Sequence, residues 1–356
     1  MRKAKTAGRR NGTLRRRAKT GDHTRLTRRH GNETVRRRPK TAGHTRLTRR
    51  RTMEDRLRTK VTVAPGSGFC FGVKRAIKLA ERALEESRGP FYTLGELIHN
   101  PQVVGELEKR GFRVAKTISE ISEGTVVIRC HGASPGIIEE ARRRGIQVID
   151  ATCPFVKKAQ ELASFLSSAG YSVIVVGDRG HPEVDAIAGT LKEVAVVGTE
   201  AEALRLKKAK KLGVVAQTTQ SFEMLSKVVT ALLGRTQELC VHNTTCATTS
   251  RRQAEALGLA GEVDVMVVVG GRKSANTARL YDICRKRVRR THWVETTGEL
   301  RRSWFRGAVH VGVTGGASTP DWLIREVADW IAPIEAQGRR ASGRKALGTR
   351  GSCRRD

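Results

Sequence analysis

Three cysteine segments hold the residue types best suited to chemistry: Gly66-Ser67-Gly68-Phe69-Cys70-Phe71-Gly72, Asp150-Ala151-Thr152-Cys153-Pro154, and Thr244-Thr245-Cys246 running on to Arg251-Arg252-Gln253. Cys70, Cys153 and Cys246 stand 83 and 93 residues apart, about one small α/β lobe per thiol. Each follows an apolar, β-branched run (Val61-Thr62-Val63, Val148-Ile149, and less cleanly Leu239 to Val241) and precedes a stretch with helical spacing. Three strand-to-helix turns with one soft ligand each suggest a shared metal or thiol centre. The C-x-x-C spacing of common zinc and ferredoxin sites is absent, so this reading rests on parallel placement alone. The other thiols read as structural: Cys130 at a strand end, Cys240, Cys284 on a helix and Cys353 in a basic tail.

A second set of polar residues follows other apolar runs. It comprises His131 in Arg129-Cys130-His131-Gly132, His181 and Glu183 in Gly180-His181-Pro182-Glu183, Thr218 in Gln217-Thr218-Thr219, Ser274 and Asn276 in Lys273-Ser274-Ala275-Asn276, and Ser318 in Gly315-Gly316-Ala317-Ser318. His99, in Gly95-Glu96-Leu97-Ile98-His99-Asn100-Pro101, is a third histidine in a loop-like stretch. Taken singly, such groups are ordinary buried histidines, turns or helix caps. Together they form an inventory of neutral or cationic donors plus one carboxylate, which suits a buried anion such as a diphosphate.

The elements that must position these groups are legible as short apolar runs at 126–128, 148–149, 173–176, 194–197, 214–215, 265–269 and 309–313. Near-continuous apolar strands separated by amphipathic stretches predict mostly parallel sheets covered on both faces, hence several small α/β layers. Val73, Ile77, Ala80 and Leu84 recur at helical spacing behind Cys70. In open α/β sheets ligands bind beyond the carboxyl ends of strands, where the polar groups fall.

The net charge of +33 sits mainly at the ends: residues 1 to 52 carry +18 and residues 338 to 356 carry +6. The first segment repeats itself, Lys19 to Arg29 returning as Lys40 to Arg50, and its scarcity of apolar residues predicts disorder. It reads as an upstream extension of a chain whose translation starts at Met53, as a solvated tail with incidental nucleic-acid or lipid affinity, or as a transit peptide. No apolar run approaches the ~18 residues of a membrane span, and seven scattered cysteines predict a reducing compartment, so a cytoplasmic protein without membrane insertion is expected. A primary role in nucleic-acid binding fits poorly, because aromatic residues make up only 4 % of the chain.

In order and spacing, the motifs from Val61 to Trp330 resemble the 4-hydroxy-3-methylbut-2-enyl diphosphate reductases, which close the methylerythritol phosphate route to isoprenoids. The resemblance implies three small α/β lobes in a pseudo-three-fold cloverleaf. Residues 59–152, 153–245 and 246–333 would be the lobes, and 1–58 and 334–356 disordered basic extensions. It implies one 4Fe-4S cluster held by Cys70, Cys153 and Cys246, with a fourth iron open to act as a Lewis acid on the substrate hydroxyl. It assigns the allylic diphosphate to His99, His131, His181, Ser274, Asn276 and Ser318, the hydroxyl end to Thr218, and proton donation to Glu183. A ferredoxin or flavodoxin would supply electrons. Two departures stand out: Ala275 where some relatives carry serine, and the additional thiol of Cys130 beside His131. A zinc-dependent hydrolase using some of the same Cys and His is the alternative enzyme class.

Overall fold

The computed structural model describes residues 59–87 and 89–335. The basic repeat, the Met53 start, the carboxyl-terminal tail and Cys353 lie outside the described residues. Twelve strands and ten α-helices alternate along these residues.

The strands form three four-stranded sheets in which every pairing is parallel. In the first, the order is β3(Phe112–Ala115), β2(Phe91–Leu94), β4(Thr125–Ile128), β5(Gln147–Asp150). The second runs β7(Ala195–Val197), β6(Ser172–Val176), β8(Ala209–Ala216), β9(Thr236–Val241). The third runs β11(Thr291–Val294), β10(Val265–Val269), β12(His310–Gly315), β1(Lys60–Val63). The same order thus occurs three times, and the last is completed by β1, the first of the described strands. Residues 60–63, which the sequence grouped with 59–152, pair instead with His310–Val313 in the third sheet. An apolar run alone does not say which sheet a strand joins.

Each sheet has an apolar cluster on both faces. Val127 packs on one side of the first sheet with Val73, Ala76 and Ala80, while Val126 and Ile128 face the other side with Ile121 and Ala141. This alternation, and the complete burial of β10, is what strands covered on both faces require. Helix α1(Phe71–Glu86) buries Val73, Ala76, Ala80 and Ala83, whereas Ile77 and Leu84 lie on the flank, partly buried. The seam is narrower than the larger apolar residues suggested, because alanines let the helix approach its sheet closely.

The cysteines stand where the chain leaves one lobe for the next. Strand β1 of the third sheet leads through Cys70 into α1 on the first; β5 of the first leads through Cys153 into α4(Pro154–Ser168) on the second; β9 of the second leads through Cys246 into α8(Ala247–Ala260) on the third. Side chains also tie lobe to lobe. Arg279 donates to both carboxylate oxygens of Asp178 at 2.9 Å, Lys273 pairs with Glu96 at 2.5 Å, and Ser318 Oγ donates to the His99 carbonyl at 3.1 Å. Among the described residues no helix is long and apolar enough to cross a membrane.

Candidate active site

Each of the three cysteines is the N-cap of its helix. Their backbones are fixed by one repeated hydrogen bond to a residue two positions beyond a central strand. Cys153 N–H donates to the Cys130 carbonyl after β4 (2.9 Å), Cys246 N–H to that of Thr218 after β8 (2.8 Å), and Cys70 N–H to that of Ala317 after β12 (3.0 Å). Thr244 reinforces the second of these, its hydroxyl donating to the Ala216 carbonyl and accepting from the Ala216 N–H. Three helix N-termini, with their partial positive charge, therefore surround one point and favour negative charge there.

The polar groups obey the same repeat. Five residues beyond β2, β6 and β10 stand His99, His181 and Ser274; three beyond β4, β8 and β12 stand His131, Thr219 and Ser318. All of them line one cavity, together with Cys70, Cys153 and Cys246. Thr218, Glu183 and Asn276 line it too, so every site residue expected from the sequence is brought together there.

The imidazoles of His99, His131 and His181 are packed on one another. His99 and His131 stack with ring centroids 4.3 Å apart, and His181 stands edge-on at 5.6 and 5.4 Å. Burial first, then mutual charge and the guanidinium of Arg129, hold His131 well below its usual pKa. His181 is pushed down to about 4, chiefly by burial, and His99 falls for the same cause although Glu96 pulls it back. Near neutral pH all three rings are uncharged. His181 Nδ1 accepts the Glu183 N–H at 3.1 Å, which puts its proton on Nε2 as a donor.

Glu183 is 2 % exposed. Its carboxylate accepts from Thr218 N–H at 2.5 Å and from Thr218 Oγ1 at 2.9 Å. Burial nevertheless raises its pKa to about 7, against the pull of those bonds. A carboxyl that holds a proton near neutrality inside a cavity is equipped for general acid work.

Several buried atoms here have no protein partner: His131 Nδ1 and both side-chain polar atoms of Asn276. Buried polar groups are ordinarily paired, and a cavity lined by unpaired ones is complementary to a polar ligand. One lining residue was read as structural, and one buried residue nearby was not singled out by the sequence reading. Arg252 is 3 % exposed, donates to the Gly315 carbonyl at 2.8 Å, and lies in the field of Cys70, Glu255, Asp321 and Cys246. Its position behind Cys246 in a helical stretch gave no sign that it turns inward. Cys130, read as structural, lines the cavity, and burial beside Cys70 and Cys153 pushes its thiol well up.

What the cysteines could hold can be tested on their spacing. Among the described residues the grouping tight enough for a single ion is that of the three histidines, whose ligand atoms lie within 4.8 Å of one another. The sulfurs share the cavity but are spread more widely, whereas thiolates on one tetrahedral zinc stand ~3.8 Å apart. A Cβ placed on Gly72 would fall 2.7 Å from Cys153 Sγ and 3.9 Å from Cys70 Sγ, so glycine keeps the space between these two thiols open. Wide spacing, an open centre and three helix N-termini fit a polynuclear, anionic metal–sulfur group.

Comparison with known proteins places the chain among a family of reductases. Residues 61–332 match the family model described as LytB protein. A 4-hydroxy-3-methylbut-2-enyl diphosphate reductase of Geobacter metallireducens is 51 % identical over 278 residues, covering 78 % of this chain and 98 % of that relative. The Geobacter sulfurreducens protein of the same name is 52 % identical over 277 residues, with the same coverage. A solved (E)-4-hydroxy-3-methyl-but-2-enyl diphosphate reductase, titled the terminal enzyme of the non-mevalonate pathway, is 45 % identical with TM-score 0.57, covering 77 % of this chain and 99 % of that one. The solved E-1-hydroxy-2-methyl-but-2-enyl-4-diphosphate reductase of Plasmodium falciparum is 26 % identical with TM-score 0.73, covering 76 % and 87 %.

Proposed function

The chain belongs to the LytB protein family, and from that premise we propose that it is a cytoplasmic reductase of the methylerythritol phosphate pathway. It takes (E)-4-hydroxy-3-methylbut-2-enyl diphosphate, two electrons and two protons, and gives water with isopentenyl or dimethylallyl diphosphate. The observation that carries the reading is the convergence of three N-cap cysteines from three lobes on one cavity lined by neutral imidazoles and a protonatable carboxyl.

Cys70, Cys153 and Cys246 would hold a 4Fe-4S cluster. When bound, the cluster supplies electron transfer and a Lewis-acid position for the substrate's hydroxyl.

The chain's own residues do the rest. His99, His131 and His181 bind the diphosphate; they are uncharged before it arrives, and its negative charge raises their affinity for protons. Ser274, Asn276 and Ser318 come from the third lobe, and the unpaired amide of Asn276 completes the donor set. Thr218 orients the hydroxyl end while bonded to Glu183, so the carboxyl proton is one hydroxyl away from the departing oxygen. Burial of Glu183 keeps bulk water from levelling its pKa. A ferredoxin or flavodoxin type protein delivers the electrons.

The close histidine trio is what a zinc-dependent hydrolase would use, and that is the second reading. The His181 tautomer favours an anion instead, since its Nε2 carries a proton. Anaerobic turnover of the allylic diphosphate with reduced methyl viologen tests the choice: reductant-dependent loss of the hydroxyl is expected, and reductant-independent release of phosphate by zinc-loaded protein would overturn it.

A further inference from the structure

Among the described residues six arginines are buried or half-buried: Arg75, Arg129, Arg235, Arg252, Arg279 and Arg290. Five of them donate to a carbonyl or a carboxylate, Arg75 to Thr152, Arg235 to Leu206, Arg252 to Gly315, Arg279 to Asp178 and Arg290 to Trp304. Arg129 is the exception. No hydrogen bond or ion pair from the described residues reaches its guanidinium, and its Nε is enclosed without a partner. A guanidinium withdrawn from water and left without an acceptor is costly, so its position is complementary to an anion. The backbone closes on the group as well: a Cβ on Gly95, whose φ of +69° suits glycine, would fall 2.5 Å from Arg129 Nη1.

Arg129 lines a second cavity, separate from the first, between the first and second lobes. The two cavities share their turns. Cys130 and His131 line the first whereas Arg129, Gly132 and Ser134 line the second, and His181 and Glu183 alternate in the same way with Pro182 and Asp185. Around Arg129 the second cavity offers further donors. Lys116 is exposed beside it, and Ser134 is the N-cap of the nine-residue helix α3(Pro135–Arg143) yet makes no capping bond with its hydroxyl. Two carboxylates line the cavity too: Glu140 is paired with Arg144 at 3.9 Å, and the exposed Asp185 attracts Arg129 from beyond ion-pair distance. Leu94, Ile118 and Ile137 supply an apolar wall.

We propose that this cavity is a second ligand site, which takes the phosphate monoester of a short aliphatic alcohol. Arg129 and Lys116 meet the phosphate, Ser134 donates its hydroxyl, and the alkyl stem lies along the apolar wall. The guanidinium fork and a neighbouring ammonium match phosphate oxygens, and the N-terminus of α3 favours their charge. Binding here needs neither metal nor electrons, so the site stands apart from the redox reading above.

The test is titration calorimetry of the cluster-loaded full chain with isopentyl phosphate, which has no hydroxyl or double bond to reduce. The first cavity takes phosphate groups as well, so two sites per chain are expected. Asn276→Ala should weaken one of them, and Arg129→Gln and Lys116→Glu should each weaken the other by about tenfold or more, with turnover of Lys116→Glu on the allylic diphosphate within about twofold of the original. Lys116 is exposed, so its variant keeps the test decisive should Arg129→Gln fail to fold. A single site that Asn276→Ala removes would overturn the proposal. So would a second site that keeps its affinity in folded Arg129→Gln, or in Lys116→Glu where Arg129→Gln does not fold.

Discussion

Replacing Glu183 with Gln is expected to stabilise the fold at alkaline pH while removing most turnover. The carboxyl is buried at 2 % exposure, and its pKa rises from 4.5 to about 7 because burial disfavours the charged form. A group raised in this way contributes stability that is complete below its unfolded pKa near 4.5 and is lost as pH rises through about 7. The gap corresponds to on the order of 3 kcal/mol. Glutamine stays neutral and can accept the Thr218 N–H bond, so it escapes that cost. At roughly 2 °C per kcal/mol for a body of this size, Tm should rise by about 6 °C at pH 8 and scarcely change at pH 4.5. Thermal unfolding of the metal-free chain, followed by circular dichroism at both pH values, reads this directly. A variant no more stable than the original at pH 8, or a Tm difference independent of pH, would refute the argument. It would mean that Glu183 is ionised in the folded protein and held so by Thr218.

Pyrophosphate binding near neutral pH should take up protons, because burial holds the three imidazoles uncharged and an anion among them raises their pKa values. Affinity should weaken about tenfold per pH unit for each proton taken up, and calorimetry in two buffers of different ionisation enthalpy checks it; equal heats would contradict it. Gly72→Ala should lower iron retention several-fold without loss of helix signal, since its methyl would crowd Cys153 Sγ; iron per chain together with circular dichroism decides. Cys153→Ser should abolish the brown chromophore. Cys284→Ser, in the apolar cluster of α8, should cost about 1–3 kcal/mol in urea unfolding and leave iron content unchanged.

The parts of this fold that sequence makes visible are those where one physical demand dominates. The five-residue run Val265–Val269 can only be a covered strand, and it is buried throughout. Strands β2, β3 and β11 were missed, because Phe91–Leu94, Phe112–Ala115 and Thr291–Val294 are short and mix aromatic, polar and charged residues. Their identity as strands comes from the sheet they join. The site residues were legible as types just beyond strands, together with a family resemblance. What local pattern could not carry was the three-fold repeat: His99, His181 and Ser274 differ in chemistry yet occupy equivalent places, five residues past equivalent strands. Arg252 was hidden because a charged residue on an amphipathic helix is ordinarily exposed, and only the packing of α8 against β12 turns it inward.

The most direct measurement is an anaerobic assay of iron and acid-labile sulfide on the purified chain, with an electron paramagnetic resonance spectrum before and after adding the allylic diphosphate. The account predicts about four irons and four sulfides per chain, and a spectrum that changes when substrate reaches the iron that lacks a cysteine. Colourless protein containing one zinc per chain, or a cluster whose spectrum is indifferent to substrate, would contradict it.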